Sequence, residues 1–285
     1  MSDPRVLVIG AGTMGHGIAH VAAQCGCEAR IYDVSADAVT AGLAKVKANL
    51  QKGVDRGKVT EEDRDATLSR LGAASSELSE AARTSDLVIE AVPEDLHLKQ
   101  QIFKTLDASA PEGTILASNT SSLSLAKIAD ATGRPDRVIG LHFFNPVHLM
   151  KLLEIVTTED TSEETLATCR ALGDRMGKTS IVVNDSPGFA TSRLGLALGL
   201  EAIRMVEEGV ASAQDIDTAM ELGYRHPMGP LKLTDLVGLD VRLGIADHLA
   251  LMLDDHRFLA PQLLRDMVAE GKLGKKSGHG FYDWA

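Results

Sequence analysis

His142 and Glu154 are the residues whose types and spacing point most directly to chemistry. An apolar strand, Val138-Ile139-Gly140-Leu141, runs straight into His142, and Asn145-Pro146 ends it. The residue before proline is driven out of the helical region, and proline offers a sheet no N–H. A second apolar run, Leu149 to Val156, carries a single carboxylate, Glu154. A histidine where a strand stops, with a carboxylate in the next apolar run, suits a general base and the group that orients it. The same pattern also suits a core histidine bonded to backbone and a solvated glutamate on an edge strand. The elements around the pair must decide.

The N-terminal stretch supplies a ligand for such a base to work with. Arg5-Val6-Leu7-Val8-Ile9 is a continuous apolar run, as expected of a strand buried on both faces of a parallel sheet. It meets Gly10-Ala11-Gly12-Thr13-Met14-Gly15 directly, and helical spacing follows through Ile18, Ala19, Ala22 and Ala23. This is G-x-G-x-x-G with a strand before it and a helix after it, the setting in which the pattern binds a dinucleotide. Gly10 permits a tight turn, and Gly12 lets a pyrophosphate approach the backbone beside Thr13 and Met14. Gly15 lets the helix lie close to the strand. The helix N-terminus offers N–H groups and partial positive charge to the phosphates. Asp33, at the end of the strand Arg30-Ile31-Tyr32, can accept from a ribose 2′-hydroxyl and repels a 2′-phosphate, which favours NAD over NADP. The bland alternative is a glycine-rich turn in some other α/β sheet.

Further strands bring more polar groups to the same rim. Asp86 to Val92 reads as a core strand ended by Pro93, with Glu94 and Lys99 flanking the start of a helix over Asp95–Ala108. Thr114 to Ala117 is the next strand and ends in Ser118-Asn119-Thr120-Ser121-Ser122. That cluster lies where open α/β sheets bind ligands, beyond the carboxyl ends of strands. It could equally cap a helix over Leu123–Ala131. Glycine loop, Ser/Asn cluster and His142 thus converge as three strand ends. Ser35 to about Gly57 reads as a long polar helix, and Thr60 with Asp63 resembles a capping box opening the charged segment Lys58–Arg70. A helix over Ser162–Met176 and a strand over Ser180–Val183 follow. After the turn Asn184–Gly188 strand signals vanish, and helices are expected at Ala190–Glu208, Ala213–Leu222, Leu231–Val237, Asp240–Leu253 and Pro261–Glu270. The boundary falls near residue 184, giving domains 1–184 and 185–285. The first of these helices is apolar nearly all round from Leu194 to Ile203, so burial on most sides is expected, inside a helical domain and against a second copy of the chain. Lys275 and Lys276 sit in a glycine-rich C-terminal frame that reads as a loop for a phosphate or, on composition, a solvated tail.

Length and composition narrow the class. The 285 residues suit two domains, and 44% hydrophobic with 24% charged residues is ordinary for a globular protein. A net charge of −11 argues against a nucleic-acid surface and against anionic membranes, while leaving room for a local anion site. Cys25, Cys27 and Cys169 give no disulfide framework and no zinc spacing, so no metal is expected and a reducing cytoplasm fits. The strand at Arg5 leaves no room for a leader, and no apolar run reaches the ~20 residues of a membrane span.

Assembled in order, these segments resemble the L-3-hydroxyacyl-CoA dehydrogenase family, in its short, stand-alone bacterial 3-hydroxybutyryl-CoA form. The resemblance covers essentially the whole chain. It rests on GAGTMG at 10–15, IEAVPEDLHLK at 89–99, SNTSSL at 118–123, GLHFFNPVHLMKLLEIV at 140–156, DSPGF at 185–189, QDIDTAM at 214–220, HPMGPLKLTDLVGLD at 226–240 and GKKSGHGFY at 274–282. It implies an α/β fold, a Rossmann-type NAD-binding domain with a mostly parallel sheet followed by an all-α domain for substrate and dimerisation. It further implies His142 as general base, Glu154 as its partner and Ser121 as a donor to substrate oxygens. Glu94, Lys99 and Asn145 would contact the cofactor, with Lys276 a further candidate, and Asn49 and Arg56 would meet the CoA moiety. Ser192 stands where the family commonly has an asparagine thought to hold the thioester, a departure expected to affect acyl affinity more than reaction type. The implied partners are an acyl-CoA and a second subunit. The alternatives are a dehydrogenase of a non-CoA hydroxy acid of the L-gulonate or carnitine type, and a catalytically silent NAD-binding protein.

Overall fold

Four successive apolar residues, Val6 to Ile9, leave no polar face, and the strand they form, β1 (Arg5–Ile9), is buried inside a sheet. The structure is a computed structural model that describes residues 3–284. Two compact units divide the chain, Met1–Ser186 and Pro187–Ala285.

In the first unit β1 is joined by β2 (Glu28–Tyr32), β3 (Leu71–Ala73), β4 (Leu87–Glu90), β5 (Ile115–Ser118), β6 (Val138–Phe143), β7 (Leu152–Thr157) and β8 (Thr179–Asn184). Among the described residues these make one eight-stranded sheet in the order β3-β2-β1-β4-β5-β6-β7-β8. Pairing is parallel from β3 across to β6; β7 then runs antiparallel to β6, and β8 is parallel to β7. The chain order reverses between β1 and β4, the switch point at which such sheets open a crevice beyond their carboxyl ends. The helices of this unit are α1 (Thr13–Gln24), α2 (Ala36–Asp55), α3 (Glu61–Arg70), α4 (Leu78–Ala82), α5 (Leu96–Ser109), α6 (Leu125–Ala129) and α7 (Glu163–Arg175). One face of the sheet packs Ile31, Ile89, Ile139 and Ile155 against Ile18 and Ala22 of α1 and Leu172 of α7. The glycine loop is built on two positions where only glycine fits. Gly10 has φ +97°, and a Cβ on Gly15 would lie 1.7 Å from the Gly10 carbonyl oxygen, so only glycine allows α1 to approach β1 this closely.

Several local expectations change. The strand β3 was not foreseen; three residues with glycine at the centre carry no alternation, and it forms only because β2 offers a free edge. The residue that caps α6 is Ser124, just beyond the Ser118–Ser122 cluster, which is thereby left to the rim. Thr60 does accept from the Asp63 N–H, but the reciprocal half of the box is missing. The Asp63 carboxylate is one carbon shorter than Glu and accepts from the Thr60 hydroxyl instead.

The second unit is helical: α8 (Thr191–Glu207), α9 (Ala213–Thr218) continued by a π turn over Ala219–Gly223, α10 (Pro230–Val237), α11 (Leu239–Leu253) and α12 (Gln262–Ala269). Its core joins Leu196, Leu200 and Ile203 of α8 to Leu231, Leu239, Leu249 and Leu264. Within the single chain α8 is not buried all round, since Leu194 is 71% exposed. The C-terminal segment is no solvated tail. Buried Asp235 accepts from the Phe281 and Tyr282 N–H groups and from the Trp284 indole, each at 2.8–2.9 Å. Among the described residues no helix is long and apolar enough to cross a membrane.

Candidate active site

The antiparallel step at β7 creates the first part of the site. In the β6–β7 ladder His142 lies directly opposite Glu154, and directly opposed residues project from the same face of a sheet. His142 Nδ1 and Glu154 Oε2 are 2.7 Å apart, with Glu154 fully buried and His142 7% exposed. A carboxylate on Nδ1 places the ring proton there and leaves the lone pair on Nε2. The Phe144 ring lies 4.5 Å from the His142 ring, centroid to centroid. The histidine's Nδ1 partner is a carboxylate, and the glutamate is buried rather than solvated.

Beyond β1 and β4 a cavity of about 720 Å³ opens, lined by Gly10, Gly12, Thr13, Met14 and Asp33 with Val92 and Ile102. Its features fit NAD. A Cβ at Gly12 would project into open space, so the backbone is bare where a pyrophosphate must approach. The N-terminus of α1 has no side-chain cap and no acidic residue in its first turn, whereas α2, α3, α5 and α7 are all capped by side chains. Asp33 accepts from Ala11 N at 2.8 Å and Ser35 N at 3.0 Å, which fixes the carboxylate at the mouth of the loop with lone pairs left for a ribose.

The Ser/Asn cluster is organised by two carboxylates. Glu94 Oε1 accepts from Thr120 Oγ1 at 2.5 Å, from the Ser121 and Ser122 N–H groups at 2.8 and 3.0 Å, and from both serine hydroxyls. Burial alone would raise the Glu94 carboxyl, but the Lys99 ammonium and the hydrogen bonds from Thr120, Ser121 and Ser122 outweigh it and hold it below the ordinary carboxylate range. The grip therefore survives acidification past the point where a free glutamate is protonated, and is lost only as pH falls through the depressed value. Behind it Lys99 is wholly buried, 2.6 Å from Glu90 and 3.4 Å from Glu94. Lys99, expected beside the cofactor, is held in place by these two carboxylates. Its ammonium is committed to Glu90, which also accepts from Ser118 Oγ and Val92 N. Asn119 Oδ1 accepts from Phe143 N at 2.9 Å and ties the cluster to the strand of His142. Asn119 and Thr120 belong to the rim cluster the sequence pointed to, whereas Glu90 escaped it. The one available signal was a carboxylate inside an otherwise apolar strand.

The remaining candidates lie on other elements of the two units. Asn145 is exposed just after β6, next to a cis bond to Pro146. Asn49 and Arg56 line a separate cavity of about 250 Å³ with His20, Lys52, Lys58 and His148. Ser192 is half-buried in the first turn of α8, and Lys276 pairs with Asp240 at 2.5 Å inside the helical unit. Among the described residues no group of three or more His, Cys, Asp or Glu side chains could hold a metal ion.

Comparison with known proteins agrees with this geometry. Residues 5–186 match the family described as 3-hydroxyacyl-CoA dehydrogenase, NAD binding domain, and residues 188–284 match its C-terminal domain. The chain belongs to the 3-hydroxyacyl-CoA dehydrogenase family. As such it is an NAD-dependent oxidoreductase. The dehydrogenase is 48% identical over 284 residues to a probable 3-hydroxybutyryl-CoA dehydrogenase of Bacillus subtilis, covering 100% of this chain and 98% of that protein. It is 42% identical over 286 residues to the mitochondrial hydroxyacyl-coenzyme A dehydrogenase of Homo sapiens, with 98% and 91% covered. The crystal structure of (S)-3-hydroxybutyryl-CoA dehydrogenase from Ralstonia eutropha superposes with a TM-score of 0.95 at 41% identity, covering all of both chains. A diketoreductase is more distant, at 28% identity and a TM-score of 0.87.

Proposed function

We propose that this dehydrogenase interconverts short-chain (3S)-3-hydroxyacyl-CoA, 3-hydroxybutyryl-CoA foremost, and the 3-oxoacyl-CoA. The observation that carries the reading is the buried His142–Glu154 pair at 2.7 Å on the carboxyl rim of the sheet. In the oxidation His142 Nε2 takes the proton of the 3-hydroxyl, and in the reduction the imidazolium returns it. Glu154 holds the ring in one tautomer and stabilises its positive charge as it develops. NAD, when bound, supplies the acceptor for the hydride leaving C3. Ser121 Oγ, oriented by Glu94, donates to a substrate oxygen. Gly10, Gly12, Thr13, Met14, Gly15 and Asp33 hold the dinucleotide, with Glu94 and Asn145 beside it. The residue types at Asn49 and Arg56 suit the polar, anionic end of CoA. Ser192 and Lys276 keep the roles the resemblance implies, toward thioester and cofactor.

The test is reduction of acetoacetyl-CoA, followed as loss of NADH absorbance, across a series of short to long acyl chains. Turnover with the shortest members is expected. Silence with every CoA thioester, alongside turnover of a free hydroxy or diketo acid, would favour the second reading suggested by the diketoreductase likeness. In the same assay Ser192→Ala raises KM or lowers kcat about tenfold, one lost hydrogen bond to substrate, and a wild-type rate removes Ser192 from the site.

Assembly and location complete the proposal. Leu194, Leu222, Tyr224 and Leu251 are each more than 70% exposed on the helical unit, an apolar surface that a homodimer through this unit would cover. Light scattering at micromolar concentration should give twice the chain mass; the mass of a single chain would rule the dimer out. The three free cysteines, Cys25, Cys27 and Cys169, accord with a cytoplasmic enzyme.

A further inference from the structure

The loop joining β6 to β7, residues 144–151, leaves the strand of His142 and returns as the strand of Glu154. Two of its carbonyls, of Val147 and Met150, accept from one side chain, Lys178 Nζ, the latter at 2.7 Å. Lys178 is 8% exposed and stands immediately before β8, whose first residue pairs with the first residue of β7. Among the described residues this ammonium donates to carbonyl oxygens alone, with no carboxylate in ion-pair range. Burial lowers its pKa below that of an ordinary lysine. An ammonium taken out of water is costly, and two carbonyl dipoles offset part of that cost only while they stay aimed at it.

The same loop is seated on the dinucleotide helix. The Val147 side chain is 2% exposed and lies so close to Gly17 of α1 that a Cβ there would be 2.9 Å from the Val147 Cβ. One residue on, the His148 ring stacks on His20 of α1 at 5.3 Å and 23°. One face of the loop therefore bears on the helix whose N-terminus faces the cofactor cavity, and its ends are the strands of base and partner. Lys178 lies near enough to this stack for its charge to lower the pKa of both His20 and His148, and Leu149, 64% exposed, is left outward.

We propose that Lys178 is a positioning residue of the dehydrogenase reaction: by gripping the Val147 and Met150 carbonyls it seats the β6–β7 loop on α1 and so sets the distance between cofactor and base. This rests on the function proposed above. Lys178 lines neither the cavity of the glycine loop nor that of Asn49 and Arg56, so its removal should act on the hydride and proton transfer and spare the affinity for NADH, because the glycine loop and Asp33 are untouched.

The experiment compares wild type, Lys178→Met and Lys178→Arg in acetoacetyl-CoA reduction, with NADH affinity by fluorescence and thermal melting alongside. The Met variant keeps the length and loses the charge. Its kcat is expected to fall on the order of ten- to a hundredfold, as misplacement by a fraction of an ångström to an ångström does, with NADH affinity within about twofold. The slowed step should also show a larger primary isotope effect with NADH deuterated at the transferred position. The Arg variant, still a buried donor of positive charge, should recover most of the rate. An unchanged kcat in the Met variant, a loss that Arg does not restore, or kcat and NADH affinity falling together would each overturn the proposal. Should the Met variant not fold, Lys178→Gln, which keeps two N–H donors without charge, reads the same quantities by the same criteria. Failure of wild type on acetoacetyl-CoA would instead count against the proposed function, and is visible before any variant is made.

Discussion

His142→Gln is expected to lower kcat on the order of 10²- to 10⁴-fold, the usual worth of a positioned general base, while leaving NADH binding within a factor of about two. Glutamine is the informative replacement. Its amide can donate to Glu154, so the buried carboxylate keeps a partner and the sheet keeps its register. What glutamine cannot do is accept the 3-hydroxyl proton near neutral pH. The loss should therefore appear in kcat and kcat/KM together, the mark of an interaction made in the transition state. The measurements are steady-state kinetics and the fluorescence titration with NADH. A variant within threefold of wild type would show that another group takes the proton, and a variant that no longer binds NADH would show that the fold had been damaged instead.

The largest effect on stability is expected at Lys99→Met. The side chains of Lys99 and Glu90 are 1% and 0% exposed and meet at 2.6 Å. Removing the ammonium leaves a wholly buried carboxylate with only Val92 N and the Ser118 hydroxyl to answer it. Breaking a buried pair from one side costs about 3–5 kcal/mol, which for a unit of this size lowers Tm by roughly 6–20 °C. Adding Glu90→Gln removes the stranded charge and should recover a good part of the loss, since it is the unpaired charge more than the missing contact that destabilises. Thermal melts of the single and double variants decide it. A single variant that melts within a degree or two of wild type would mean that water reaches Glu90 and the pair is not isolated. Activity should suffer too, because Lys99 also faces Glu94, whose carboxylate gathers Thr120, Ser121 and Ser122.

The parts of this molecule that were readable in advance are those written locally. The apolar run of β1, the glycines at 10, 12 and 15, Asp33 two residues before the cap Ser35, and the caps Asp95 and Ser162 each act within a few residues of themselves. Helix boundaries in the second unit could be read for the same reason. What could not be read depends on partners far along the chain. β3 exists because of the edge it meets, 40 residues away at Arg30, where Arg70 O accepts from the Arg30 guanidinium. The Glu90–Lys99–Ser118 network needs β4, α5 and β5 side by side before its charges make sense. Asp235 gives no hint in its helix that it fastens residues 281–284. Lys178 looks like any solvated lysine until the carbonyls of residues 147 and 150 are found beneath it. Backbone acceptors have no residue type, so no pattern announces them. His142 and Glu154 fall between these cases: their types were suggestive, but only resemblance, and then the antiparallel ladder, made them a pair.

That ladder ties the catalytic pair to the odd–even count of a pleated strand. Because side chains alternate, shifting β7 by one residue against β6 would turn Glu154 to the opposite face and bring Leu153 or Ile155 level with His142. A change of length among residues 144–151 is different in kind. It can be absorbed outside the ladder without altering which residues face each other, and would disturb only the seat of the loop on α1. Partnership and aim are thus specified separately, the first by counting residues along a strand and the second by how a connection is fastened. A redesign of the loop could change what the base points at while keeping the carboxylate behind it.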